Sequence, residues 1–307
     1  NRNSQCARNS STWSVLSKKA SGGFFRARNR QYKIVMDYQQ KQSIGLIAGN
    51  GRFPILFSLA ARRQGFRVVA AAIKGDTSPV LYFCADKLAW FGISDLRKGF
   101  EYFKSQGVSQ VIMAGQVSQR NLFDKRVQSD PELQRFFSAL QDRKADTIFS
   151  AVTDLLDKNG LKVLDSTLLL KQFLAPRGTL TRRGPTESEL ADLEFGRTIA
   201  KAMGGLDVGQ TVVIKSKAIV AIEAMEGTDR CILRGGRIAR QGAVVIKTSK
   251  PQQDVRFDVP VVGPRTIRAM CRSKSSCLAV EAQRTLILDY EKTIQLADRA
   301  GICIVSI

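Results

Sequence analysis

From Ser43 onward short apolar runs recur, each followed by a stretch of helical periodicity, and no other feature restricts the fold so tightly. Ser43–Ala48 (SIGLIA) has the length and near-continuous apolarity of a buried strand. Gly49-Asn50-Gly51 makes a tight turn, and Pro54 suits the first turn of a helix running to about Gln64. Arg67–Ile73 is a second apolar strand, 74–79 a loop, 94–106 a helix and 108–114 a third strand. Helices are expected over 130–140 and 142–158, with a short strand at 161–164. Strands alternating with helices imply crossover connections, which give a parallel, doubly wound sheet.

Residues 175–186 (APRGTLTRRGPT) concentrate Pro, Gly and Arg and read as a linker between two domains, 43–174 and 187–307. Thr186 with Glu189 forms a capping box that opens a helix to about Met203, where Gly204-Gly205 stops it. The second domain alternates shorter strands (210–215, 218–223, 243–247, 278–280, 285–288, 302–305) with helices at 264–271 and 290–300, so the chain is α/β throughout. Residues 1–42 hold nine Lys or Arg against one acid, Asp37. They lack apolar periodicity and are expected to be a disordered basic extension. A transit peptide, or a stretch upstream of a natural start at Met36, would share this composition.

Hydrophobic residues make up 44% of the 307, enough for a packed core, and no apolar run approaches the ~20 residues of a spanning helix. Lys and Arg total 48 against 27 Asp and Glu, a net charge of +21 that favours an anionic partner. Of that excess +8 falls in 1–42; the rest is scattered among acids. Histidine is absent, which excludes a His base, a His-ligated zinc and a Ser-His-Asp triad. The six cysteines (Cys6, Cys84, Cys231, Cys271, Cys277, Cys303) form no C-x-x-C pair and read as reduced, mostly buried thiols of a cytosolic protein.

Four constellations could carry chemistry. Gly49-x-Gly51-x-x-Pro54 sits between strand and helix, where glycines admit phosphate and a helix N-terminus offers free N–H groups. Pro replaces the third Gly, and Lys74 stands near the place of a ribose-binding acid, which argues against NAD. In Leu206–Gln210, Asp207 and Gln210 could face one cleft. Glu223-Ala224-Met225-Glu226-Gly227-Thr228-Asp229 puts three carboxylates at a strand's C-terminal end, and a helix starting at Glu226 would place Glu226 and Asp229 on one face. Finally, 247–260 has two prolines and interleaves Lys247, Lys250 and Arg256 with Asp254 and Asp258, a set suited to phosphate and metal.

The phrases IAGNGRFP, VIMAGQV, LDVGQTVVI, AIEAMEGTD and KPQQDVRFDVPVVGPRTI occur in this order, and with them the chain from Ser43 onward resembles the UDP-2,3-diacylglucosamine pyrophosphatases of lipid A biosynthesis. The resemblance implies a Rossmann-like N-terminal domain, a C-terminal catalytic domain, and hydrolysis to 2,3-diacylglucosamine 1-phosphate and UMP. It implies Mg²⁺ or a similar divalent ion, and water attack on the phosphorus nearer the sugar. On that basis Asp229 is expected as metal ligand or water-activating carboxylate, supported by Glu223 and Glu226, with Asp254 and Asp258 completing the metal set. Substrate contacts are expected from Gly49, Asn50, Gly51, Arg52, Gln210, Gly227, Thr228, Lys250, Gln253, Arg256 and Thr266. Arg230, directly after Asp229, departs from the small apolar residue expected there. The implied partners are the UDP-linked diacylated glucosamine, an anionic inner-membrane surface met peripherally from the cytoplasm, and a second copy in a homodimer. The main rival is a basic nucleic-acid-binding protein without catalysis; its clustered cations and interleaved aromatics are missing beyond residue 42, so no nucleic acid is expected.

Overall fold

A computed structural model describes residues 42–117 and 130–307; the extension expected over 1–42 lies, Gln42 apart, outside them. The first half runs β1 (Ser43–Ala48), α1 (Phe53–Arg63), β2 (Arg67–Ile73), β3 (Lys87–Phe91), α2 (Leu96–Ser105), β4 (Gln110–Ala114), α3 (Pro131–Ser138), α4 (Ala145–Lys158) and β5 (Lys162–Val163). The five strands form a parallel sheet in the order β3-β2-β1-β4-β5. Strand alternation sorts the apolar residues onto two faces. Ile44, Leu46 and Ala48 pack with Phe53, Phe57 and Ala61 of α1. Val69, Ala71, Val111 and Met113 pack with Phe100 and Phe103 of α2 and Leu156 of α4. Each large side chain so buried contributes roughly 1.5–3 kcal/mol. Strand β3 was not expected from sequence: it is an edge strand with Lys87 and Trp90 exposed, so it lacks a buried strand's apolar run.

The second half runs β6 (Gly178–Thr179), α5 (Glu187–Gly205), β7 (Thr211–Lys215), β8 (Ala218–Ile222), α6 (Thr228–Ala239), β9 (Val244–Lys247), β10 (Val261–Val262), α7 (Pro264–Ser273), β11 (Cys277–Val280), β12 (Leu286–Ile287), α8 (Tyr290–Arg299) and β13 (Cys303–Ser306). A six-stranded mixed sheet has the order β6-β13-β11-β9-β7-β8, with β9, β11 and β13 parallel and β7 antiparallel to β9. Leu193 and Ala200 of α5 cover one face; Ile232 of α6 and Ile267 and Met270 of α7 cover the other. The Thr186–Glu189 capping box forms as expected, but Gly204 and Gly205 are the last two residues of α5 rather than its stop, and Leu206 is the C-cap. The stretch 175–186 is more than a connector: it carries β6, which pairs with β13, and Ala175 is buried in the core.

Residues 42–307 form one compact unit: β10 and β12 make a small parallel sheet of their own, and the two large sheets are tied by the chain that leaves β9. Phe257 stacks on Phe149 of α4 at 5.4 Å, Ser166 Oγ donates to Val255 O at 2.8 Å, and Leu286 packs in the core beneath α1. Among the described residues no helix is long and apolar enough to cross a membrane.

Candidate active site

The carboxyl edge of the second sheet gathers most of the polar side chains that sequence pointed to. Strand β8 ends at Ile222, and β7 pairs with both β8 and β9, so Glu223, Thr211 and Lys247 come together at one end. Glu223 N donates to Thr211 O at 2.8 Å. Helix α6 then starts at Thr228 behind Gly227, whose φ of 80° and ψ of 164° only glycine adopts without strain. Gly227 supplies no capping side chain, so the α6 N-terminus is left to whatever acceptor approaches it. Thr228 Oγ1 donates to Glu223 Oε1 at 2.9 Å and accepts from Lys247 Nζ at 2.7 Å. Asp229, in the first turn of α6, is half-buried and pairs loosely with exposed Arg265 at 3.5 Å. Arg230 is exposed to solvent. Glu226 lies outside the helix rather than sharing a face with Asp229: its carboxylate accepts from Arg234 and from Ala224 N. Burial raises its pKa, but Arg234 and the backbone N–H groups that it accepts from together outweigh burial and hold the carboxyl below the usual range.

A second cluster forms around Lys250. Its Nζ contacts Asp207 at 2.5 Å, Asp146 of α4 at 2.7 Å and Asp258 at 3.1 Å, with its side chain 8% exposed. Burial disfavours the ammonium, but the three carboxylates outweigh it and hold the pKa above the ordinary lysine value. Asp258 is shifted upward by its own burial, with Lys250 opposing. Gln210 Nε2 donates to Asp258 Oδ2 at 2.7 Å, so Asp207 and Gln210 do meet, through Lys250 and Asp258. Gln253 folds the loop, accepting from Lys250 N and donating to Asp258 O. Arg256 grips Asp254, whose carboxyl the contact holds below the usual range. Thr266 Oγ1 accepts from Gly263 N at the start of α7 and is buried.

In the first half, Gly49 N donates to Ala114 O, and Asn50 exchanges backbone hydrogen bonds with Gln116. A Cβ on Gly49 would fall 2.6 Å from Gln116 O, so this glycine is required by backbone packing. Gly51 has φ of +99° and open space around it. Arg52 pairs with Asp289 at 2.8 Å, linking the turn to the start of α8.

The expected metal set does not assemble. Asp229, Asp254 and Asp258 are each engaged by a different cation, and among the described residues no three Asp, Glu or Cys side chains are placed to hold a metal ion. Lys250, Gln253, Arg256 and Thr266, expected as substrate contacts, are engaged within the protein. Asp146 was missed, since in sequence it is only an acid in the first turn of a helix. Lys247 was noted for phosphate yet left out of the site; its signal was its place at the end of a central strand.

Comparison with known proteins bears on both halves of the chain from residue 43 onward. The model of the LpxI N-terminal domain matches residues 43–173, and that of the LpxI C-terminal domain matches residues 176–305. The chain is 28% identical over 279 residues to the UDP-2,3-diacylglucosamine pyrophosphatase LpxI of Caulobacter vibrioides, covering 87% of this chain and 98% of that protein. Among solved structures, the biotin carboxylase domain of a single-chain bacterial carboxylase is similar over 55% of this chain and 35% of its own, at 14% identity and a TM-score of 0.22. N5-carboxyaminoimidazole ribonucleotide synthetase from Thermotoga maritima is similar over 60% and 42%, at 17% identity and a TM-score of 0.21. TM-scores this low carry no argument about fold. The two domain models lie end to end across both sheets, and the chain belongs to the LpxI family.

Proposed function

We propose that this chain hydrolyses the diphosphate of UDP-2,3-diacylglucosamine in lipid A biosynthesis, releasing UMP and 2,3-diacylglucosamine 1-phosphate. The observation that carries the reading is Asp229 in the first turn of α6, beside an N-terminus with no side-chain cap and next to the Glu223–Thr228 pair. Diphosphate hydrolysis needs charge neutralisation and a positioned water. The α6 N–H groups and helix dipole supply part of the first. Asp229 orients the water. The water oxygen bonds to the sugar-side phosphorus, the bond from that phosphorus to the bridging oxygen breaks, UMP leaves, and the water's proton passes to the carboxylate. The chain's own carboxylates do not converge on a metal. We therefore confine the proposal for Mg²⁺ to an ion that arrives with the diphosphate, with Asp229 as its protein ligand, a mode Mg²⁺ commonly uses.

The test is UMP release by the wild-type chain and by Asp229→Ala, with Mg²⁺ and with EDTA. The expected result is release that EDTA suppresses and the substitution abolishes. Absence of release from folded wild-type protein overturns the activity; release unaffected by EDTA overturns the ion alone. A peripheral contact with anionic membrane is part of the proposal. It is supported by Tyr82 and Phe83, 66% and 79% exposed, on the turn Pro79–Phe83, whose next residue, Cys84, accepts at its carbonyl from Arg62. Co-sedimentation with anionic vesicles tests it.

A further inference from the structure

Lys247 and Lys250 stand three residues apart and are each 7% exposed, yet their surroundings are opposite. Lys250 meets three carboxylates. Lys247 Nζ donates to the hydroxyl of Thr228 at 2.7 Å, and among the described residues no carboxylate oxygen lies within 4.0 Å of it. Negative charge reaches it only at longer range, from Glu223 through the shared Thr228 hydroxyl and from Asp258, so this buried ammonium can still take an anion that comes closer. The hydroxyl it touches belongs to the first residue of α6, so the ammonium and the helix N-terminus present positive charge together.

A second observation points to a polar ligand at the same edge. Among the described residues five buried side-chain oxygens lack a hydrogen-bond partner, and three of them are Asp207 Oδ2, Glu223 Oε2 and Thr248 Oγ1. Glu223 is 8% exposed and shares the Thr228 hydroxyl with Lys247. Thr248 follows Lys247, and its N–H donates to Gln210 O at 3.0 Å. A Cβ on Gly209 would fall 2.1 Å from Glu223 O, so the turn carrying Asp207 packs on Glu223. Unpartnered oxygens near a cation with no direct carboxylate contact suit a hydrated phosphoryl group: its anionic oxygens would meet the ammonium and helix N–H groups, and its water the carboxylate.

We propose that Lys247 is the buried cation that contacts the phosphoryl group under attack, with Thr228 orienting its ammonium. The proposal rests on the pyrophosphatase reading for the reaction, but not for the binding of the anion. The alternative is a structural role, with Lys247 merely supporting Thr228. Three measurements on the full chain separate them. Without ligand, Lys247→Met removes a buried charge that has no direct ion pair and is expected to melt at or above the wild-type temperature; a structural support would melt well below it. For UMP release, kcat of Lys247→Met is expected to fall at least ~100-fold with a smaller change in KM, and Lys247→Arg to recover part of it. Inorganic diphosphate is expected to raise the melting temperature of wild type and not of Lys247→Met. Wild-type kcat in the Met variant, an unaltered diphosphate shift, or a low melting temperature that Lys247→Arg fully restores overturns the proposal. A diphosphate shift lost in Lys247→Met, in a chain that releases no UMP, would uphold the anion site while the pyrophosphatase reading fell.

Discussion

Replacing Lys250 by Met leaves Asp146, Asp207 and Asp258 around an apolar side chain of similar length. At an effective dielectric near 20, each contact is worth about 5 kcal/mol gross. Desolvation of a lysine side chain 8% exposed cancels much of that sum. Removing one partner of a buried cluster typically costs about 3–5 kcal/mol, because the groups left behind stay desolvated. That range is the expected loss near pH 7.5. The pH dependence has a definite sign. Lys250 has a raised pKa, so its contribution is fully present below the ordinary lysine value and is lost only as pH rises through the folded value, in the alkaline range. Asp258 also has a raised pKa, so the folded state holds its proton to higher pH than the unfolded chain, and this share of stability falls as pH rises. Without Lys250 the carboxylates repel one another until they protonate, so the loss should be smaller near pH 5 than near pH 7.5. Urea unfolding followed by circular dichroism at the two pH values reads both numbers. Asp146→Asn, at the 41% exposed partner, should cost only ~0.2–1 kcal/mol. A loss under ~1 kcal/mol for Lys250→Met near pH 7.5, or one equal at both pH values, would refute the buried-cluster argument.

Gly49→Ala should destabilise by about 1–3 kcal/mol, because its Cβ would press on the Gln116 carbonyl that holds the β1 turn; an unchanged urea midpoint contradicts this. The double substitution Tyr82→Ser with Phe83→Ser should reduce co-sedimentation with anionic vesicles while leaving the melting temperature within a degree or two, since both side chains are largely exposed. Undiminished pelleting removes this turn from any membrane contact.

The fold was legible where burial on both faces forces continuous apolarity. Strands β1, β2 and β4 read as SIGLIA, RVVAAAI and QVIMA, and their helices follow from periodicity and caps. Strand β3 was not legible, because an edge strand tolerates Lys87 and Trp90 on its open side. Strands β6 and β10 were not legible either: β6 lies in the Pro-, Gly- and Arg-rich stretch that reads as a linker, and β10 follows directly on the proline-bounded loop that leaves β9. The site was legible as composition and not as pairing. Sequence singled out acids and cations in 247–260, but Arg256 could as well have faced a phosphate as Asp254. Nothing in a linear pattern says that Asp146, more than a hundred positions before Lys250, completes its shell.

The contrast between the two lysines separates an anchoring role, at Lys250, from the catalytic one proposed for Lys247. Lys250 fixes the loop's start to α4 and to the Asp207 turn, and Gln253 and Arg256 close the rest by local contacts. That anchoring holds the loop next to the end of β9, where Lys247 stands. Glu223 is likewise pinned by Thr228 and by its own backbone bond to Thr211, and one oxygen stays unpartnered. The framework of hydrogen bonds and ion pairs around them leaves the Glu223 oxygen without a partner and Lys247 without a direct ion pair. Local strain or dissatisfaction held in place by an over-determined surrounding is the physical mark of a preorganised site. It predicts an ordering: loosening the frame through Lys250 should lower both stability and turnover, whereas removing Lys247 should lower turnover and spare stability.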